Sequence, residues 1–348
     1  MNYDFYFLVT TDKSKIPPSP IVMIDGTVPG WIASPEDLHF DHHRPGGDPI
    51  QLTEIPQGIK LPKSFTFVTT QVDADACAAA AYMLLQQIPQ EPTEEYEAIA
   101  NLKAIAYDCD HLGCPPELGK YRANLAKKAV AALKESGNAI AAGFGLPRNR
   151  KEWTEDQKIA YASEAFKLGT RWLTNACLGN CPYPGERGEA DAYFERMEAM
   201  RPQVYANCSI YRGCAIFDQR SFEGYVDPRL LVEWARENSV THPITLTIRD
   251  GSLMPNTKLV EGYEGVLYNY TLGSIPLHPS GSPKFSDKLV WAKLQELEVN
   301  LRTQFKLPLP ETAWGGRNEV GGSSWRDPMI SFFPDIIDVV LACILPEK

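Results

Sequence analysis

The sequence predicts an α/β protein. Its N-terminal part is expected to be a doubly wound, mainly parallel sheet with helices on both faces, followed by a helical middle and a smaller C-terminal α/β domain. Three observations carry this. The apolar run Ile21-Val22-Met23-Ile24 stops at Asp25-Gly26, as a buried strand closed by a turn does. Phe65 to Val72 is rich in β-branched and aromatic residues and leads directly into the helix-prone run Cys77 to Leu85. The 348 residues also exceed what a single core of ~250–300 residues commonly supports. The expected divisions are a first domain over 1–145, a helical connection over 146–212 and a second domain over 213–348.

Hydrophobic residues make up 44% and charged residues 22% of the chain, so a sizeable core can be buried. The formal net charge of −10 opposes a protein that coats long nucleic acid through a basic face. It still allows a small phosphorylated substrate neutralised locally. The start, Met1-Asn2-Tyr3-Asp4, lacks a positive n-region. The apolar run Ile330 to Leu345 is interrupted by Pro334, Asp335 and Asp338, so no membrane association and a cytoplasmic location are expected. Eight cysteines in this length do not form a secreted disulfide framework. Cys177, Cys181, Cys208 and Cys214 match no common zinc spacing.

In chain order, Asp25 comes first as a candidate ligand. An acid at the carboxyl end of a strand sits where α/β sheets bind ligands, although Asp-Gly is also a common turn pair. His39-Phe40-Asp41-His42-His43 then places three of the six histidines and an aspartate within five residues. Neutral imidazole and carboxylate lone pairs at this density suit a divalent cation. Arg44 adds a fork of donors suited to phosphate. The segment Pro45 to Lys63 reads as a Pro- and Gly-studded connection.

Asp73-Ala74-Asp75-Ala76 follows the second strand. A helix N-cap accounts for one of these aspartates and leaves the other unexplained. The next helix, Glu94 to Tyr107, runs into Asp108-Cys109-Asp110, where two acids oppose the macrodipole and call for a compensating cation. Lys120–Glu135, Thr154–Leu173 and Glu189–Met200 show helical spacing, with Gly143 to Arg150 as a seam. Strands are expected at Ala215–Phe217, Ile244–Ile248 and Val266–Tyr270, and a helix capped by Ser286 carries Val290, Leu294, Leu297, Leu301 and Phe305. In Gly315-Gly316-Arg317-Asn318-Glu319-Val320-Gly321-Gly322-Ser323, paired glycines let the backbone approach an anion.

Asp41-His42-His43 and the D-x-D of Asp73 and Asp75 together resemble the DHH phosphoesterase superfamily. That superfamily includes a single-strand exonuclease, oligoribonuclease-type phosphatases and family II inorganic pyrophosphatases. Asp25-Gly26 and the Asp108/Asp110 pair are similar to its single-aspartate motifs, and the Gly315–Ser323 loop to the glycine-rich loop of its associated domain. The likeness covers residues 20–115 firmly and 213–325 loosely. Here the D-x-D follows the D-H-H rather than preceding it, and Arg317-Asn318-Glu319 stands where a histidine is usual.

The resemblance implies a phosphoesterase whose metal ligands are Asp25, His42, Asp73, Asp75 and Asp108 or Asp110, holding two ions. Oxygen-rich ligands favour Mn2+ or Mg2+ over zinc. Such a pair can activate a water and clamp phosphoryl oxygens. Asp41 would orient an imidazole, and His43 would contact the phosphate or leaving group. Arg44 and Arg317 would neutralise charge, with Gly315, Gly316, Gly321, Gly322 and Ser323 binding substrate. The expected partners are a small phosphoester or short oligonucleotide, and a second copy in a homodimer. The rival expectations are an inert nucleotide- or metal-binding relative and a zinc hydrolase acting on an amide.

Overall fold

The computed structural model describes residues 4–18, 20–43, 47–89, 91–147, 149–222, 226–238, 240–242, 244–254, 257–274, 287–311, 313–316, 320–324 and 326–343. The expected cap Ser286 and the candidate residues Arg44 and Arg317 lie outside them. The chain is mixed α/β and divides into two compact units, Met1–Glu195 and Arg196–Lys348.

In the first unit the strands are β1 (Asp4–Val9), β2 (Ile21–Ile24), β3 (Leu38–Phe40) and β4 (Ser64–Thr69). They form one sheet in the order β1-β4-β2-β3, and every pairing is parallel. The alternation of β1 and β4 decides how they pack. Phe5 pairs with Phe65 and Phe7 with Phe67, so four rings share one face. The Phe5 and Phe65 rings stack at 5.6 Å, and those of Phe7 and Phe67 at 5.5 Å. Aromatic pairs at such spacing add to the stabilisation from area burial.

Helices α1 (Ala74–Leu85), α2 (Pro92–His111), α3 (Gly119–Gly143) and α4 (Glu155–Cys177) follow. Their apolar residues join Val22, Ile24, Phe65 and Phe67 in one core. The opposite face, with Ile21, Met23 and Val68, packs against Ile16, Val28 and Trp31 from connecting segments. Among the described residues, the short β1–β2 and β2–β3 connections carry no α-helix.

Small side chains set the depth of α1. Ala74, Ala76 and Ala78 to Ala81 are all buried, and Cys77 Sγ occupies the space that a Cβ on Gly169 of α4 would need. Thr154 opens α4 with a capping box to Gln157. Because Phe166 and Leu173 of α4 belong to the first core, the seam read near residue 146 lies inside the first unit.

The change of unit falls within α5 (Asp191–Ala206). In the second unit, β5 (Cys208–Tyr211), β6 (Cys214–Asp218), β7 (Ile244–Asp250), β8 (Tyr268–Ser274), β9 (Trp314–Gly316) and β10 (Val320–Ser323) form a sheet in the order β5-β6-β7-β8-β10-β9. Among the described residues, the β6–β7 pairing alone in this sheet is parallel. Helices α6 (Pro228–Glu237), α7 (Asp287–Gln304) and α8 (Phe333–Leu341) accompany it. Among the described residues, no helix is long and apolar enough to cross a membrane.

Candidate metal centre

Three neighbouring parallel strands deliver the site. β2 ends at Ile24 and is followed by Asp25, β3 ends at Phe40 before Asp41, His42 and His43, and β4 leads through residues 70–72 to Asp73 and Asp75. Because all three run the same way, their carboxyl ends meet at one sheet edge whatever the order of the motifs along the chain.

Asp25 adopts a left-handed conformation, φ 53°, and Gly26 follows at φ 121°. A Cβ on Gly26 would collide with Thr70 Oγ1, so the turn requires glycine. Thr69 Oγ1 donates to the Asp25 carbonyl at 3.0 Å, tying β4 to this turn. The alternative of an aspartate serving its own turn does not hold. Its carboxylate Oδ1 lies 3.1 Å from His42 Nε2 and 2.9 Å from His43 Nε2.

His42 is buried at the centre of the cluster. Its Nε2 is 3.5 Å from Asp75 Oδ2 and 3.6 Å from Asp110 Oδ2. Its Nδ1 is 3.1 Å from the carbonyl oxygen of Asp48. Asp75 is fully buried, with Oδ2 accepting from Gln51 N at 2.8 Å and Oδ1 without a hydrogen-bond partner. Asp73 is the N-cap of α1, its Oδ1 accepting from Ala76 N at 2.9 Å. Of the two aspartates, the cap therefore explains only Asp73.

Three overlapping groups have ligand atoms within 4.8 Å of one another: Asp25 with His42 and His43, His42 with Asp75 and Asp110, and Asp73 with Cys109 and Asp110. Asp110 thus joins the cluster, whereas Asp108, buried on the same helix, is in no such group among the described residues. The helix α2 continues through His111, four residues past the expected end. Two residues along a helix turn by about 200°, so Asp108 and Asp110 face different ways. Asp41 is likewise outside the groups. Its Oδ1 accepts from His43 N at 2.9 Å and its Oδ2 from Thr27 Oγ1 at 2.6 Å, so it shapes the histidine turn.

The electrostatics divide the acids. Burial alone would raise Asp25, yet hydrogen bonds from His42 and His43 outweigh it and hold the carboxyl below the usual range. Burial, with repulsion from Asp25 and Asp110, pushes Asp73 well up. Burial, then repulsion from Asp110, Asp25 and Asp73, does the same to Asp75. Burial also raises the Cys109 thiol, and the neighbouring aspartates add to it. Even with both imidazoles charged, four carboxylates outnumber them. The residues therefore fit a divalent cation: oxygen donors predominate, negative charge is in excess, and Asp75 keeps one buried oxygen unpartnered.

Sequence reasoning passed over the segment from Asp48 to Gln51. Besides Asp48 O and Gln51 N, the Gln51 side-chain Oε1 accepts from Asp25 N at 3.0 Å and from His42 N at 3.2 Å. Pro49 O lies 2.8 Å from His111 Nε2. These contacts use mostly backbone groups, which leave no residue-type signature.

The glycine-rich segment belongs to the second unit, where it forms the paired strands β9 and β10. A Cβ on Gly316 or Gly321 would run into the Trp291 ring, while at Gly315 the space is open. Gly322 lies against the Tyr270 carbonyl, and Ser323 Oγ, buried, accepts from Tyr270 N at 2.8 Å and Asn269 Nδ2 at 3.1 Å. Among the described residues, Cys177, Cys181, Cys208 and Cys214 enter no metal-capable group.

No family model matches the chain, and no curated protein matches it in sequence. Among solved structures it is similar to the pGpG-specific phosphodiesterase PggH from Vibrio cholerae. The two are 12% identical over 97% of this chain and 97% of that one, with a TM-score of 0.41.

Proposed function

We propose that this protein is a divalent-cation-dependent phosphoesterase acting on a small phosphoester or the end of a short oligonucleotide. One observation supports it above the rest: Asp25, His42, Asp75 and Asp110, from four separated stretches of chain, converge at one parallel-sheet edge. Two ions, Mn2+ or Mg2+, would be held by Asp25, His42, Asp73, Asp75 and Asp110. Hard oxygen ligands with one or two imidazoles suit these metals better than zinc. When bound, such ions supply a water activated at neutral pH and neutralise phosphoryl oxygens.

The chain's own groups have separate tasks. His43, with 39% of its side chain exposed, is the reachable imidazole of the pair and contacts the phosphoryl or leaving-group oxygen. Asp41 fixes its backbone through His43 N. Asp25 and Asp48 hold His42 from either side of its ring. The acidic total charge favours a compact substrate over long polynucleotide.

The test is a phosphoester panel of short oligonucleotides, cyclic dinucleotides and pyrophosphate, run on chelator-treated protein with and without Mn2+. Release of phosphate or nucleotide only with Mn2+ or Mg2+ is expected. Tight stoichiometric zinc, with no response to Mn2+ on any member, would overturn the proposal.

A further inference from the structure

Gln51 opens a 3-10 turn over Gln51–Glu54 and is fully buried. A buried glutamine carries one acceptor and two donors that need partners. Here Oε1 takes two backbone donors, Asp25 N at 3.0 Å and His42 N at 3.2 Å, while Gln51 N donates to Asp75 Oδ2 at 2.8 Å. Three candidate ligands from three different strand ends are thus tied to one residue. Both groups facing Oε1 are N–H donors, so the amide has a single workable orientation: a flipped –NH2 would face two donors.

We propose that Gln51 is the positioning residue of this centre, setting the spacing between the Asp25 turn, the His42 turn and the Asp75 carboxylate. The inference rests on the metal-centre reading above, but its geometry does not require an ion. Strand pairing alone leaves these turns only partly fixed. β2 and β3 hydrogen-bond up to Asp25 N and Phe40 O at 3.2 Å, and both ligands lie at or beyond that last ladder contact. Gln51 supplies the next rung, from a segment outside the sheet. Its remaining donor, Nε2, is buried without a partner. An unpaired buried donor is a cost that a purely structural residue would be expected to avoid. Methionine would fill the same volume without it.

The experiment compares wild type, Gln51→Met and Gln51→Glu in chelator-treated protein, then titrates each with Mn2+ by electron paramagnetic resonance. Gln51→Met removes the acceptor at near-constant volume, and Gln51→Glu keeps an acceptor oxygen. Expected for Gln51→Met is native-state amide exchange at His42 at least about tenfold faster, while Asp25 N keeps its ladder bond to Phe40 O, with Mn2+ affinity lower by about 10–100-fold. Gln51→Glu is expected to restore exchange protection at His42. Unchanged exchange in folded Gln51→Met would overturn the inference. So would a folded Gln51→Glu whose His42 amide exchanges at least about tenfold faster than wild type, an outcome that decides the matter even if the methionine variant fails to fold. A wild type that binds no Mn2+ would instead sink the proposed function, while the exchange comparison would still judge Gln51.

Discussion

The Nδ1 of His42 lies 3.1 Å from the carbonyl oxygen of Asp48. A carbonyl only accepts, so Nδ1 carries the proton and Nε2 faces Asp25, Asp75 and Asp110. Opposite three carboxylates, Nε2 must present either a proton or a cation. In 15N-labelled protein, adding Mg2+ after chelation is expected to abolish the Nε2–H signal of His42 and leave Nδ1–H in place. An Nε2–H that persists at saturating Mg2+ would exclude His42 as a ligand. The same addition is expected to raise the melting temperature, by the equivalent of about 2.7 kcal/mol at a hundred times Kd.

Asp75 offers the cleanest single substitution. Burial and three neighbouring acids push its carboxyl upward, so Asp75→Asn relieves repulsion in the chelated protein while removing an anionic ligand. The chelated variant is expected to melt at or above wild type, to gain less from Mn2+, and to lose activity by orders of magnitude. Thermal shift with and without Mn2+, read beside the rate, checks all three. Equal metal content and equal hydrolysis would remove the D-x-D acids from the centre.

The cysteines away from the acids give a prediction free of the metal. Burial pushes the Cys177 thiol to about 11, and those of Cys208 and Cys214 to about 12. At pH 8 a thiol at about 11 is thiolate in about one molecule in a thousand, and only the thiolate reacts. Alkylation at these three is expected to be slow in the native protein, to rise about tenfold from pH 8 to pH 9, and to become fast in denaturant. Peptide mapping by mass spectrometry reads each site. Fast native labelling of Cys177 at pH 8 would contradict its packing beside Tyr183, whose hydroxyl lies 3.4 Å from Sγ.

Two glycines in the β9–β10 pair separate packing from recognition. Gly321→Ala would force a methyl into the Trp291 ring and is expected to destabilise the second unit by about 1–3 kcal/mol, with Mn2+ affinity unchanged. Gly315→Ala meets open space and is expected to leave stability alone. A rise in KM from Gly315→Ala without a change in melting would favour the substrate-binding role read from the sequence. No effect on either would leave the glycines of this hairpin explained by Trp291 and Tyr270.

The parallel sheet and the acids at its strand ends were legible because both follow from local pattern. Ile21–Ile24 is an apolar run with Asp25 directly after it, and the β-branched and aromatic stretch Phe65–Val72 leads straight into Asp73. The choice of Asp110 over Asp108 was open because it depends on helical phase, and α2 runs four residues beyond its apparent end. Gln51 and Asp48 were hidden for a different reason. One acts through an amide oxygen that any glutamine has, the other through a carbonyl that every residue has. The cover of the sheet face bearing Ile21, Met23 and Val68 by Ile16, Val28 and Trp31 was not legible, because these are scattered residues without periodicity.

The centre has a helical side and a turn side. Asp75 and Asp110 ride on helices, and Asp75 belongs to α1, almost every residue of which is enclosed. Asp25, His42 and His43 sit on turns between strands, one of them in a left-handed backbone conformation. Under the proposed function, a substrate would meet this centre from the side of His43, whose imidazole is partly exposed, with the enclosed helical carboxylates as the wall opposite.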